Sequence, residues 1–211
     1  MKYINQFITE YIIKKKLDKA IDSEDHYIYF PKTKEELIKN IQKLFSKDET
    51  NLNCIDTSAI TDMSLVFGQM PKIHGKDFDV SEWDVTNVTN MEGLFANCAN
   101  FNCDLSKWDV SKVKDMSGMF SWCVKFNCDL SNWDVSNANN MDFMFYSCEN
   151  FNCDLSSWDV SNVTNMICMF KFCKNFTGEG LENWNISNVT YMNDIFGKCT
   201  LLKNKPSWYK K

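Results

Sequence analysis

Apolar residues recur along most of this chain at a nearly constant interval. The repeated tryptophans are spaced by 25 residues, with a final step of 26; they are Trp83, Trp108, Trp133, Trp158 and Trp184. Columns of valine or isoleucine, methionine, phenylalanine and cysteine keep the same interval. A unit of this length is too short to bury its own apolar face, so we expect successive units to stack and share one core.

The order of residues within a unit predicts one strand and one short helix. Trp108 and Val110 alternate with polar residues, which indicates a short strand. The apolar positions that follow are spaced by three and four, which favours a turn leading into a helix; they are Val113, Met116, Met119 and Phe120. In most units an Asp or Asn precedes the column methionine, as at Asp115, and suits a helix start. The spacing leaves open a second strand over residues 113–116.

These patterns predict an α/β repeat solenoid that resembles a leucine-rich repeat. We expect a right-handed coil of about six strand-plus-helix units over residues 54–200, followed by a C-terminal cap or tail at 201–211.

An N-terminal helical cap is predicted for residues 1–53, because a stack must hide the open end of its core. The apolar spacing predicts one helix over residues 1–21 and a short β-prone run over 26–30. Thr33 and Glu36 form the pattern of a capping box at the start of a second helix. The buried stripe of that helix is predicted as Leu37, Ile38, Ile41, Leu44 and Phe45.

Ten cysteines and two ladders of aspartates invite chemical interpretations. Because most cysteines fall in repeat columns, we expect buried free thiols, with disulfides between units or a zinc site as alternatives. Repeated aspartates are typical of turns, with calcium binding or catalysis as alternatives. The faithful repetition favours architecture, since an active site needs different groups that converge once.

Composition narrows the function classes. The net charge of −5 argues against a nucleic-acid partner. No segment has the length of a membrane span, and the N-terminal residues do not have the pattern of a signal peptide, so we expect a cytoplasmic protein. The sequence has no nucleophile triad, phosphate loop or metalloprotease motif, and therefore predicts neither an enzyme nor a bound cofactor.

The repeat resembles that of a known family. The motif W-D-V-S-N-V-T-N-M-x-x-M-F-x-x-C, clearest from Trp158 to Cys173, is similar to the BspA-like leucine-rich repeat family of bacteria. The segment at residues 30–37 also resembles the way such arrays begin. This resemblance implies the repeat fold, and relatives that are often surface or adhesion proteins binding host or matrix proteins. A cell-surface location is therefore the alternative to the cytoplasmic one.

Positions that do not repeat are the candidates for specific binding. Aromatic or aliphatic residues interrupt polar or glycine patterns at Trp122, Phe143, Tyr146, Ile167 and Phe172. We expect them to lie on one flank and to bind a protein partner or mediate self-association. The alternative is that they only pack against one another between units.

A second surface is also a candidate for binding. The varied column before each tryptophan is a second candidate surface; its residues are Glu82, Lys107, Asn132, Ser157 and Asn183. The predicted function is therefore a non-catalytic protein-interaction module, and a calcium- or zinc-loaded structural scaffold is the alternative.

Overall fold

The computed structural model describes residues 27–209, and one α-helix lies within them. This helix, α1, spans Lys34–Phe45, and the Thr33 side chain accepts a hydrogen bond from the N–H of Glu36 at its start. The Glu36 carboxylate in turn accepts from the N–H of Lys32 at 2.7 Å, one residue earlier than a capping box places it. The predicted stripe is buried except at Ile38, which is half-buried. The predicted helix at residues 1–21 lies outside the described residues.

The prediction of an α/β solenoid is wrong. Apart from α1, the described residues contain two short 3-10 helices, Pro71–Ile73 and Leu181–Asn183, and no strand. The β-prone run near Tyr29 makes one isolated parallel bridge, to Ile55. Neighbouring repeat units are likewise joined by one isolated parallel bridge each; the bridged residues are Asp62, Asn90, Asp115, Asn140, Asn165 and Tyr191 in succession.

Consecutive tight turns replace the predicted short helix. The N–H of Met119 donates to the carbonyl of Met116 at 3.2 Å, and the N–H of Cys123 donates to that of Phe120 at 2.9 Å. The third residue of the first turn, Gly118, and that of the second, Trp122, have φ of 58° and 64°. This left-handed conformation is the one that type II turns require, and a right-handed helix cannot continue through it.

In the first five units, the residue before the column methionine closes a turn instead of capping a helix. Asp115 Oδ1 accepts the N–H of Ser117 at 2.9 Å, and Asp62 Oδ1 accepts that of Ser64 at 2.8 Å. These are Asx turns, in which a short polar side chain binds the backbone two residues on. The N-cap prediction therefore identified a hydrogen-bonding residue correctly but assigned it to the wrong element.

Six backbone hydrogen bonds join the fourth unit to the fifth: two run back toward the N-terminal end, from the N–H groups of Thr164 and Asn175, and four form a ladder in the opposite direction. In the fourth unit the N–H groups of Met141, Phe143, Phe145 and Ser147 donate to carbonyls of the fifth unit at 2.8–3.0 Å. The donors are alternate residues, and all point toward the C-terminal end of the stack. This one-way ladder, with the turns inside each unit, satisfies the backbone groups that a helix or sheet would otherwise pair.

Aromatic rings fill the core in two adjoining columns. Phe95, Phe120 and Phe145 stack with ring centroids 5.6 Å apart from one unit to the next. A second column lies beside them, with Phe101 only 4.1 Å from Phe95. These stacked rings remove a continuous apolar surface from water, which is the main stabilising term for such a stack.

The column tryptophans are buried, and each indole N–H has a partner in the preceding unit. Trp133 Nε1 donates to the Leu105 carbonyl at 3.0 Å, and Trp158 repeats the contact with Leu130 at 3.1 Å. Trp208 Nε1 donates to the Leu181 carbonyl at 2.7 Å in the same way. The segment predicted as a tail therefore continues the tryptophan column.

All ten cysteines are free thiols; seven are buried as predicted, and Cys54, Cys103 and Cys199 are only partly buried. Cys123 and Cys148 are buried, and each Sγ donates to a phenylalanine carbonyl one unit earlier, at 3.0 and 2.9 Å. Burial raises the pKa of both thiols well above the ordinary value of 9.0, and raises that of Cys98 to about 12. These cysteines act as small apolar residues with a weak donor.

Candidate functional site

The predicted site residues lie on the turn-rich side of three neighbouring units. Trp122 and Phe172 occupy the same column and have left-handed backbones, with φ of 64° and 66°. Phe143 lies in the adjoining left-handed column, with φ of 54°. Tyr146 and Ile167 are not in left-handed positions. The predicted helical flank is therefore a flank of turns, and three of five candidates have an unusual backbone conformation.

Four of the five side chains meet in one group, which we call the aromatic cluster: Trp122, Phe143, Tyr146 and Phe172. The Tyr146 ring lies at its centre, 5.7 Å from Trp122, 5.5 Å from Phe143 and 5.5 Å from Phe172 between centroids. The contacts with Trp122 and Phe172 are edge to face, the geometry that the ring quadrupoles favour.

Ile167 is half-buried and belongs to the site through its backbone. Its carbonyl accepts the N–H of Phe143 at 2.8 Å, as part of the ladder between units. This backbone hydrogen bond places Ile167 beside the aromatic cluster.

The aromatic cluster is packed and exposed at the same time. Trp122 is 51% exposed and Phe143 is 39% exposed, whereas Tyr146 and Phe172 are half-buried. The core rings, by contrast, are almost fully buried. The rings therefore contact one another between units and still present a surface to solvent.

The backbone beneath Phe143 is better suited to glycine. Gly93 and Gly118 occupy the equivalent positions of the two preceding units, also with positive φ. Holding an L-residue in this region costs about 1–2 kcal/mol. Bulky residues with positive φ are uncommon and are often associated with function. Phe143 therefore bears a local conformational cost, as do Leu65, Cys168 and Asp194 at the equivalent positions of other units.

Lys171 adds a cation to the edge of the aromatic cluster. Its Nζ lies 5.4 Å from the Phe172 ring centroid and 2.7 Å from Asp194 Oδ2. The hydrogen bond to Asp194 raises the pKa of the lysine. The sequence pattern gave no signal for this residue, since Asp194 lies 23 residues away in the next unit and only stacking brings the two together.

A shallow groove of about 430 Å³ adjoins the aromatic cluster at Phe143. Its far end is formed by Leu65, and Gly93 and Gly118 lie between. A Cβ at Gly93 would come within 2.6 Å of the Leu65 side chain, so glycine makes room for Leu65 at this end of the groove.

Acidic side chains line the groove. Glu92, Asp115 and Asp142 contribute carboxylates to its wall. Burial raises the pKa of Asp142, and the Asp115 charge adds to that rise. Sequence reasoning missed the groove because its lining comes from four units.

The second candidate surface consists of ordinary polar contacts. Lys107 Nζ forms an ion pair with Glu82 Oε1 at 3.0 Å, and both side chains are mostly exposed. Exposed ion pairs of this kind contribute little, roughly 0–1 kcal/mol. This column therefore lacks the buried anchors that concentrate binding energy.

The aspartate ladders are engaged in turns. Asp104 Oδ1 accepts the N–H of Ser106 at 2.9 Å, and Asp129 Oδ1 accepts that of Ser131 at 2.9 Å. These backbone hydrogen bonds lower the pKa of both carboxyls. Within residues 27–209, no three His, Cys, Asp or Glu residues are grouped so that they could hold a metal ion.

Comparison with known proteins identifies one family. The model of the family described as "Mycoplasma protein of unknown function, DUF285" matches residues 35–152 and 129–210. No match to a curated protein or to a solved structure was found. Each helical segment in the described part of the chain is too short or too polar to traverse a lipid bilayer.

Proposed function

Since the chain belongs to the Mycoplasma family of unknown function DUF285, whose name assigns no activity, we propose from its surface that it is a non-catalytic protein-interaction module. The aromatic cluster is the binding site in this proposal. Its partner is another protein, which covers Trp122 and Phe143 on association.

The observation that carries the proposal is a packed group of aromatic rings that stays exposed, with Trp122 at 51% and Phe143 at 39%. Their left-handed backbones belong to the repeat, because non-aromatic residues at equivalent positions, among them Leu65, Ser147 and Cys168, share them. Binding hot spots are enriched in Trp and Tyr and consist of few, clustered, well-packed residues. Tyr146 supplies the fixed packing partner for the exposed rings, which reduces the side-chain entropy lost when a partner binds.

The relationship to BspA-like repeat proteins belongs to the same proposal. The motif that supports it, from Trp158 to Cys173, lies inside a segment matched by the family model. Relatives of that kind are often surface or adhesion proteins, so a host or matrix protein is the alternative to a cytoplasmic partner. Protease treatment of intact cells distinguishes the two, since only an exposed chain is degraded.

The binding test compares the wild-type chain with the double variant Trp122→Ala, Phe172→Ala. Both chains are immobilised and exposed to extracts of the source cell, and a protein captured by the wild type is purified and titrated. We expect the double variant to weaken binding at least tenfold, since each hot-spot truncation costs about 1–2 kcal/mol or more. Phe30→Ala is the matched control, because Phe30 is an exposed aromatic outside the cluster.

Stability must be measured on the same chains. We expect both variants to unfold near the wild-type urea midpoint, because Trp122 and Phe172 lie outside the buried core. Equal capture by the wild type and the double variant would refute the proposal. Unfolding of the double variant would instead assign these residues to the core, and the single variant Trp122→Ala would then repeat the comparison.

A further inference from the structure

The last repeat unit ends in a row of unpaired backbone donors. Units two to five each give four N–H groups to the next unit, from alternate residues. In the sixth unit the equivalent N–H groups have no hydrogen-bond partner within residues 27–209; they belong to Met192, Asp194, Phe196 and Lys198. We call this row the open donor edge.

The C-terminal residues cover the core of this unit. Trp208 and Tyr209 pack against the Phe196 ring at 6.0 and 5.4 Å between centroids, and Leu201 N–H donates to the Lys174 carbonyl at 3.2 Å. Phe196 is therefore almost fully buried, whereas Asp194 and Lys198 of the open donor edge are exposed. Tyr191, at the start of this edge, is 56% exposed.

The N-terminal end of the stack is closed in a different way. There α1 lies against the first unit, with Lys34 Nζ 2.7 Å from Asp62 Oδ2 and 2.8 Å from Ser64 Oγ. Because all ladder donors point the same way, two open donor edges would bring donors against donors. A symmetric pairing of two copies through this edge is therefore unfavourable, and the edge needs an acceptor.

Charge favours an acceptor-rich partner as well. Residues 191–209 contain three lysines and one aspartate, a net charge of +2 in a chain of net −5. Asp194 and Lys198 have φ of 56° and 62°, and successive backbone N–H groups in such turn conformations can form concave binding sites for anions. Unpaired edges of this kind are templates for pairing with another chain.

We propose that the open donor edge docks a peptide segment with the conformation of a repeat unit, which presents carbonyl oxygens at alternate residues. The partner would continue the ladder as a seventh unit, with the same contacts that the sixth unit makes to the fifth. There the carbonyls of Tyr191, Asn193, Ile195 and Gly197 accept four N–H groups at 2.7–3.0 Å. This proposal concerns a surface separate from the aromatic cluster and does not depend on it.

The test uses the full chain, labelled with ¹⁵N, and a synthetic peptide of residues 187–200, which contains those four carbonyls. In the free chain we expect rapid amide exchange at the open donor edge and slow exchange at Met141 and Phe145, which are paired. Saturating peptide should slow exchange at the edge and shift its amide resonances. A shuffled peptide of the same composition should do neither.

Two variants separate this surface from the rest. Met192→Pro removes one donor, and we expect peptide affinity to fall about fivefold. Trp122→Ala leaves the open donor edge intact and should bind the peptide like the wild type. If Met192→Pro fails to fold, the comparison of native and shuffled peptides on the wild type decides the question.

Three results would overturn the proposal. The first is slow exchange of the edge amides in the free chain, which would mean that the chain's own remaining residues or a second copy already cover them. The second is an absence of edge-specific changes at saturating peptide. Loss of binding in Trp122→Ala would likewise assign the peptide to the aromatic cluster.

Discussion

Replacement of Phe143 by glycine and by alanine tests whether the aromatic cluster is kept at a conformational cost. Both substitutions remove the ring and its contact with Tyr146, so their difference isolates the backbone. A left-handed L-residue costs about 1–2 kcal/mol, and glycine loses about 0.5–1 kcal/mol through its greater freedom in the unfolded chain. We therefore expect Phe143→Gly to be more stable than Phe143→Ala by about 0.5–1 kcal/mol.

Ser121 supplies the matched control. It lies on the same side of the stack and is half-buried, but its φ is not positive. At this position the order should reverse, with Ser121→Ala more stable than Ser121→Gly by about 0.5–1 kcal/mol. The assay is urea unfolding followed by tryptophan fluorescence, with all four variants compared at equal protein concentration.

One result would refute the reasoning. If alanine is as stable as glycine at position 143, or more stable, the left-handed backbone carries no cost there. The statement that Phe143 is held at a conformational cost would then be wrong. If the predicted order holds, Phe143→Gly becomes a well-folded variant without the ring, suited to binding measurements.

Two further predictions concern the core. Trp133→Phe removes the indole N–H that donates to Leu105 and leaves a buried carbonyl without its partner, so we expect a loss of about 1–3 kcal/mol in urea unfolding. Trp208→Phe, where the ring is only partly buried, should cost less, and the opposite order would contradict this account. Folding raises the pKa of Cys98 from 9.0 to about 12, so the unfolded chain loses this proton first as pH rises. Stability should therefore be fully present below pH 9 and fall between pH 9 and about 12, measured as the urea midpoint; a flat profile would show that the thiols are not buried.

The aromatic cluster was predictable only in part. Non-repeating aromatics at Trp122, Tyr146 and Phe172 stand out against regular columns, and that signal is present in the sequence. The contacts between these residues could not be predicted, because Tyr146 contacts Trp122 and Phe172 only when three units stack. The groove between Leu65 and Phe143 could not be predicted from the sequence, since Gly93 and Gly118 look like ordinary turn residues.

The sequence by itself determined which residues share the core, because columns of identical residues at a fixed interval meet whenever the units stack. It also determined α1, whose cap and apolar stripe lie within a few residues of one another. Only the tertiary structure decided the backbone conformation of each unit. The N–H of Phe143 donates to the carbonyl of Ile167 in the next unit, not to a carbonyl of its own turn. This hydrogen bond depends on a residue that lies 24 positions further along the chain. Apolar residues spaced by three and four fit a helix and a run of turns equally well. The fold was therefore decided by which carbonyl each N–H group binds, and not by the spacing of the side chains.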